Sequence, residues 1–227
     1  MTIENEFTMI GAQFAMVGGE SKDINELFAA NSLPGMDANG EFQTTILVWD
    51  GVGYDTYGWM DADDGTNNEM PAWDSKWILN DFSDLATVDL PVGKAFWLRS
   101  KGDGEVTISG EVDQSDPEPI QISSEFTMIA NTMPVEVSIQ KIVPDDKIPG
   151  MDANGEFQTT ILIWDGVGYD TYGWMDADDG TNNEMPAWDS KWILNDFSDL
   201  AAATLKPGQA AWFRTKAGTN GSVTFSK

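Results

Sequence analysis

Residues 34–73 read PGMDANGEFQTTILVWDGVGYDTYGWMDADDGTNNEMPAW, and residues 149–188 repeat them with one change, Val48 to Ile163. The identity continues to residues 86 and 201. A repeat of this length indicates two copies of one structural unit. Shorter matches outside it, such as EFTMI at residues 6–10 and 125–129, extend the alignment over nearly the whole chain.

Residues inside the repeat predict a β-hairpin. Residues 42–49 are rich in β-branched residues, DGVG at residues 50–53 is a turn signal, and residues 54–60 form the return strand. In that return strand Tyr57 and Trp59 share one face, opposite Tyr54 and Thr56. After the repeat, a Pro/Gly turn precedes the pattern Gly-x-Ala-x-Trp-x-Arg at residues 93–99 and 208–214, and a last strand closes each copy.

The rest of the chain completes two domains. Asp23 and Ser138 are favourable N-cap residues before apolar stretches and predict one helix of two or three turns per copy. Residues 113–119, DQSDPEP, have the composition of a short linker. The predicted fold class is mainly β, with two tandem homologous β-sandwich or partly open barrel domains at residues 1–112 and 120–227.

The charge of the chain limits its partners. The formal net charge is −26, and each repeat contains eleven acidic residues against one lysine. Such a surface repels nucleic acid phosphates and anionic membranes. The longest apolar runs are only a few residues, whereas a spanning helix needs about 20. We therefore expect neither nucleic acid binding nor membrane insertion; the acidic surface suits cations, or is a solvated face with no specific ligand.

The absence of histidine and cysteine limits the chemistry. It removes thiol nucleophiles, disulfides, the usual zinc ligands and the imidazole of most general acid–base sites. Two carboxylates alone can hydrolyse a glycosidic bond, but nothing in the sequence marks one of them as buried and protonated. We therefore expect that the protein is not an enzyme.

One family resemblance follows from these motifs. Trp49-Asp50-Gly51, the tyrosine-rich return strand, a Pro/Gly turn and AFWLR at residues 95–99 resemble Trp-rich β repeat domains of exported bacterial surface and extracellular proteins, which read approximately W-D-G … P-G-x-x-F-W-L. The resemblance covers most of each half. It implies a non-catalytic module in an extracellular or cell-surface location. The opening MTIENEF lacks the basic and apolar regions of a signal peptide.

The acidic loops at residues 61–69 and 176–184 are candidate calcium sites. Calcium takes six to eight oxygen ligands, which closely spaced Asp, Asn and Glu around a glycine can supply. The glycine is in the fifth position, so the loop is not an EF-hand. An Asx turn that needs no ion is the alternative. The candidate ligands are Asp61, Asp63, Asp64, Asn67, Glu69, Asp176, Asp178, Asp179, Asn182 and Glu184.

Aromatic residues beside these loops form a second candidate site. Each half contains five tryptophans, and an exposed aromatic platform beside carboxylates can stack on a sugar ring. The alternative is that these rings fill the core. Arg99 shares a strand face with Trp97, so we also expect a cation–π pair between them. The candidate ligand-binding residues are Tyr57, Trp59, Trp73, Trp77, Tyr172, Trp174, Trp188 and Trp192.

The sequence therefore predicts a non-catalytic extracellular structural or binding module, made of two duplicated β-domains and ordered by calcium. Unpaired strand edges favour assembly with itself or with other extracellular surface components. The alternative is a carbohydrate-binding tandem module that holds a polysaccharide with the aromatic and acidic-loop residues.

Overall fold

The computed structural model describes residues 2–3, 6–12, 22–27, 33–61, 71–106, 108, 118–123, 125–176, 186–216 and 219–226. The chain divides into two compact units, residues 1–113 and 114–227. The described residues are mainly β and form several antiparallel sheets, which confirms the mainly β part of the predicted class. None of the described helices is long and apolar enough to cross a membrane.

Within the described residues, the first unit contains a five-stranded antiparallel sheet, here called the main sheet, with strand order β2-β8-β4-β5-β6. Two further pairs, β1-β9 and β3-β7, accompany it. The strands are β1 (Thr2–Ile3), β2 (Phe7–Gly11), β3 (Lys22–Asp23), β4 (Thr44–Trp49), β5 (Tyr54–Met60), β6 (Lys76–Leu79), β7 (Asp89–Leu90), β8 (Ala95–Ser100) and β9 (Gly104–Glu105).

The second unit has, in its described part, a main sheet of the matching order β11-β18-β14-β15-β16. A three-stranded sheet, β10-β19-β13, and the pair β12-β17 accompany it. The strands are β10 (Ile120–Ile122), β11 (Phe126–Ala130), β12 (Val137–Ser138), β13 (Ile142–Pro144), β14 (Thr159–Trp164), β15 (Tyr169–Met175), β16 (Lys191–Leu194), β17 (Thr204–Leu205), β18 (Ala210–Thr215) and β19 (Gly221–Phe225).

The predicted hairpin is confirmed as β4 and β5. Trp49 pairs with Tyr54 at the turn, and the antiparallel register continues to Thr45 opposite Gly58. Because successive side chains of a strand point to opposite faces, this register decides which residues of the hairpin enter the core.

The core of each unit lies on one face of its main sheet. Trp59 and Trp77 are 2% and 0% exposed, and their ring centroids lie 5.2 Å apart. Ile46, Val48 and Phe96 pack in the same buried cluster. In the second unit, the cluster around Trp174 and Trp192 also includes residues of the three-stranded sheet: Ile122, Ile142, Val223 and Phe225. Burying each such large side chain contributes about 1.5–3 kcal/mol.

The predicted helix of two or three turns is wrong in length in the second unit, where it is a 3-10 turn, Ile139–Lys141. In the first unit the described part of the helix is α1 (Ile24–Leu27), and the residues that follow it lie outside the described part of the chain. Both predicted caps form, since Asp23 Oδ1 accepts from Asn25 N at 2.9 Å and Ser138 Oγ from Gln140 N at 3.3 Å. In the second unit the turn ends because the chain continues into β13, which pairs with β19.

A side-chain amide in each of these short turns joins two strands. Gln140 Nε2 donates to the carbonyls of Trp192 and Ala201 at 2.6 and 2.9 Å, and Gln140 Oε1 accepts from Trp192 N at 3.0 Å. Asn25 makes the same three bonds to Trp77 and Ala86 in the first unit. The amide satisfies backbone groups beside the buried tryptophan, so this turn is needed for the core.

We expect Gln140→Leu to lower the free energy of unfolding by about 1–3 kcal/mol, because it leaves partly buried backbone groups without partners. Urea denaturation measures the change. Gln121→Leu makes the same substitution at an exposed position of β10 and is expected to change stability by no more than about 0.5 kcal/mol. If both substitutions lower the free energy of unfolding equally, the Gln140 amide does not stabilise the fold through its bonds to the backbone.

Candidate functional site

The face of the main sheet opposite the core, here called the outer face, is also rich in aromatic residues. On β4, Ile46 and Val48 point into the core, so Thr45, Leu47 and Trp49 point outward. Cross-strand pairing adds further residues to this face: Phe7, Met9, Trp97, Arg99, Tyr54, Thr56 and Gly58. The outer face is thus a second apolar surface, outside the buried cluster.

One side of the outer face carries a connected row of aromatic rings. Phe7 meets Trp97 edge to face at 6.2 Å, and Trp49 meets Tyr54 at 5.1 Å. A side-chain hydrogen bond joins Trp97 to Tyr54. Partial burial raises the pKa of Tyr54 above its ordinary value, and the bond to Trp97 opposes that rise. The row is therefore held rigidly while Tyr54 stays 41% exposed.

The other side of the outer face is formed by two stacked phenylalanines. The rings of Phe42 and Phe82 lie 4.8 Å apart and 13° from parallel. Phe42 covers Gly58, where an added Cβ would lie 2.4 Å from the ring. Phe82 has φ of 60°, a left-handed conformation that bulky residues rarely adopt. The local backbone therefore holds Phe82, 41% exposed, over Phe42.

The turn that carries Phe82 is fixed by Asp81. The Asp81 carboxylate accepts bonds from the Ser83 hydroxyl at 2.6 Å and from Ser83 N at 3.1 Å. These two bonds lower the pKa of Asp81. Strained conformations of this kind persist where the surrounding structure determines them, often at recognition sites.

Two cations lie at the edge of the outer face. Arg99 lies with its Cζ 5.6 Å from the ring centroid of Phe7 and donates to Glu6 Oε1 from Nη2 at 2.8 Å. The sequence predicted a cation–π pair of Arg99 with Trp97, whereas the observed pair is with Phe7, the cross-strand partner of Arg99. Lys101 pairs with Glu41 at 3.5 Å. Both cations are partly exposed, so the ion pairs contribute little to stability.

Together these side chains enclose an open groove of about 500 Å³, within the range of about 300–1,000 Å³ for ligand sites. We call it the aromatic groove. Its lining is mostly apolar, with threonines at the floor and Asn80 at the rim. The lining residues are Phe7, Gly40, Glu41, Phe42, Thr45, Leu47, Thr56, Asn80, Phe82, Arg99 and Lys101.

The second unit has the same arrangement. Phe126 meets Trp212 at 6.0 Å and Trp164 meets Tyr169 at 5.0 Å. Phe157 stacks on Phe197 at 4.6 Å, and Phe197 again has a positive φ, of 59°. An added Cβ at Gly173 would lie 2.3 Å from Phe157. Arg214 lies over Phe126 at 5.6 Å and bonds to Glu125.

The aromatic candidates from the sequence are mostly in the core. Trp59 and Trp77, with their counterparts Trp174 and Trp192, are buried, so the prediction that they form part of an exposed platform is wrong. Tyr57 is also in the buried cluster, and Tyr172 packs against the corresponding one. The remaining candidates, Trp73 and Trp188, are partly buried in short 3-10 turns.

The calcium prediction lies almost wholly outside the described residues. Of the ten candidate ligands, only Asp61 and Asp176 are described. Asp61 packs against Gly35, and Asp176 against Gly150. Among the described residues alone, no group of three or more acidic, histidine or cysteine side chains is arranged for a metal ion. Another segment rich in oxygen-bearing side chains, residues 37–41, is an Asx turn in which Asp37 Oδ1 accepts from the backbone N–H groups of Asn39 and Glu41.

The sequence interpretation missed Phe42 and Phe82. Gly58 was the available signal, because a glycine inside a strand often marks the close approach of another group. No comparable signal identified the left-handed conformation of Phe82, since glycine and asparagine are its usual residues.

We expect Gly58→Ala to lower the free energy of unfolding by about 1–3 kcal/mol, because the new methyl group would displace the Phe42 ring. Chemical denaturation measures the effect, and loss of the Phe42–Phe82 stack should accompany it. Gly53→Ala is the control, since an added Cβ there contacts nothing within 4 Å. In a Phe42→Ala background the cost of Gly58→Ala should disappear. A cost that persists there would contradict this packing.

The hairpin turn gives a prediction about pH. Hydrogen bonds from Gly53 N and Val52 N lower the pKa of Asp50 below 3.8, and the matching bonds act on Asp165. A lowered pKa stabilises the fold above pH 3.8, and this contribution is lost as the pH falls through the folded-state value. Asparagine keeps the acceptor oxygen but does not titrate. The wild type should therefore have a higher free energy of unfolding than the double variant Asp50→Asn, Asp165→Asn, and this difference should shrink below pH 3.8.

Urea denaturation over a pH series measures this difference. Asp55→Asn with Asp170→Asn removes equal charge from the same hairpins and controls for the change in net charge. If the difference in free energy of unfolding between the wild type and the Asp50→Asn, Asp165→Asn variant does not change with pH, the stabilising role given to these two carboxylates is wrong.

Comparisons with known proteins give no family. No protein-family model matches the chain, and no curated protein or solved structure matches it significantly. The resemblance to Trp-rich repeat domains therefore remains a prediction. A function for the chain is inferred from the geometry of its outer face.

Proposed function

We propose that the protein is a non-catalytic structural and binding module that acts outside the cell or at its surface and assembles with copies of itself. In this proposal its two units are homologous β-sandwich domains. The matching strand order of the main sheets supports the homology. The shared core of the two larger sheets in the second unit supports a sandwich.

One observation carries the proposal: the aromatic groove. A sheet with one face in the core normally presents polar residues on the other face. Here the other face carries aromatic and aliphatic side chains, and Phe7, Tyr54 and Phe82 remain exposed. Apolar surface that stays accessible beside a polar rim is typical of an interaction site. Stacking and apolar contact are the interactions that most of the lining side chains offer.

Calcium has a definite place in this proposal. The acidic loops at residues 61–69 and 176–184 concentrate carboxylates in both units. A bound divalent cation there would offset part of the net charge of −26 and so reduce repulsion between copies.

A carbohydrate-binding function is the second candidate, and the polar groups of the groove favour it. Thr45, Thr56 and Asn80 lie among the rings of Phe42 and Phe82, and sugars are bound by stacking on rings together with hydrogen bonds to hydroxyl groups. In this case a polysaccharide would occupy the aromatic groove, since Trp59 and Trp77 are buried.

Sedimentation velocity tests the proposal. Chelator-treated protein is measured with and without about 1 mM calcium, a concentration in the range that extracellular calcium modules bind. We expect larger species with calcium than without. A variant with Asp63, Asp64, Asp178 and Asp179 changed to Asn should lose the calcium response. Monodisperse protein in both conditions would contradict self-assembly. Tryptophan fluorescence titration with soluble polysaccharides tests the second candidate in the same samples.

A further inference from the structure

The turn between β4 and β5 presents an exposed valine. Val52 is 91% exposed, and Val167 at the same position of the second unit is 90% exposed. We call residues 50–53 and 165–168 the tips. A nearly fully exposed aliphatic side chain contributes nothing to the core of its own unit, yet both copies contain it.

Each tip is held rigidly by its aspartate. Asp50 Oδ1 accepts from Val52 N and Gly53 N at 2.7 Å each, and Asp50 N donates to the Gly53 carbonyl at 3.0 Å. Asp165 makes the same bonds in the second unit. Gly51 supplies the required positive φ of 106°. Because the tip is already ordered, little conformational entropy is lost when its valine binds an apolar site.

The tip and the aromatic groove are complementary in charge. Asp50 and Asp55 are exposed carboxylates on either side of Val52. The groove has an apolar lining with Arg99 and Lys101 at its edge, and these are two of only five basic residues within residues 1–113. Each cation already has an acidic partner, Glu6 for Arg99 and Glu41 for Lys101, and such exposed ion pairs are weak. The carboxylates of the tip would take the place of these partners, so an apolar side chain flanked by carboxylates matches this groove.

A tip is unable to enter the groove of its own unit, since it is joined directly to β4 and β5, which supply Thr45, Leu47 and Thr56 to the floor. We propose that the tip of one chain, Val52 or Val167, inserts into the aromatic groove of a second copy of the chain. This inference rests on the proposed function, because it names the partner and the surfaces of the self-assembly.

The two surfaces differ, so the contact is heterologous and joins molecules head to tail into rings or open chains. A single tip buries less than the roughly 1,000 Å² of a stable interface, so one contact is weak. Each chain carries two tips, and the ring contacts that shape the groove recur in the second unit, so the association is multivalent. Copies of net charge −26 repel one another, and salt screens this repulsion beyond about 8 Å at 0.15 M while leaving contact pairs in place.

The test uses full-length protein and two double variants. The tip variant carries Val52→Ser and Val167→Ser at exposed positions and should fold normally. The groove variant carries Thr56→Arg and Thr171→Arg, which place a long cation in each groove. Circular dichroism and thermal denaturation check that both fold.

Sedimentation velocity at about 0.15 M salt with calcium should show wild-type association that increases with concentration. Each variant alone should stay monomeric. An equimolar mixture should associate again, because the tip variant retains intact grooves and the groove variant retains intact tips.

The outcomes separate the two claims. If the tip variant associates like the wild type, the tip contact is wrong while self-assembly stands. If the wild type itself stays monomeric, both the self-assembly and the tip contact fail. A monomeric wild type that binds a polysaccharide, with binding abolished by Thr56→Arg and Thr171→Arg, assigns the groove to sugar instead. A variant mixture that stays monomeric also contradicts the heterologous contact.

Discussion

The contact between Trp59 and Trp77, and between their counterparts Trp174 and Trp192, is the constraint on which the rest of each unit depends. These cross-strand neighbours pack with ring centroids 5.2 and 5.1 Å apart inside the core. Because strand side chains alternate between faces, burying this pair fixes the inward face of β5 and β6. A slip of one residue would turn every core residue of these strands toward solvent.

The same constraint sends a second set of aromatic residues outward. Once Trp59 is inside, Tyr54 and Thr56 lie on the outer face, with Leu47 and Trp97 beside them. Phe42 covers Gly58 and stacks on Phe82, which narrows this surface to a groove. The buried tryptophans therefore orient the sheet whose opposite face forms the proposed binding surface.

The sequence predicted the parts of the fold that depend on local pattern. One such part is the hairpin of β4 and β5 with its turn. Because side chains alternate between the faces of a strand, the sequence also placed Tyr57 and Trp59 on the face opposite Tyr54 and Thr56. Alternation alone does not say which face is inward when both faces carry aromatic residues, and for this reason Trp59 and Trp77 were assigned to a ligand platform.

Features that depend on contacts between distant parts of the chain could not be predicted from the sequence. The short turn at residues 139–141 ends because β13 pairs with β19, whose residues lie about 80 positions further along the chain. The groove depends on the left-handed backbone of Phe82, which no residue preference indicates. The left-handed conformation recurs at Phe197 because residues 34–86 and 149–201 are identical except at one position.

The proposed contact between tip and groove gives the exposed valine of each tip an apolar partner in another copy of the chain. A photo-cross-linking amino acid at position 52, in a mixture of isotopically light and heavy chains, tests this account most directly. We expect mixed light–heavy cross-links to residues that line the groove, in the segments 40–47, 80–82 and 99–101 or their counterparts in the second unit. Cross-links between chains that map to other surfaces, or cross-links confined to single chains, would contradict it.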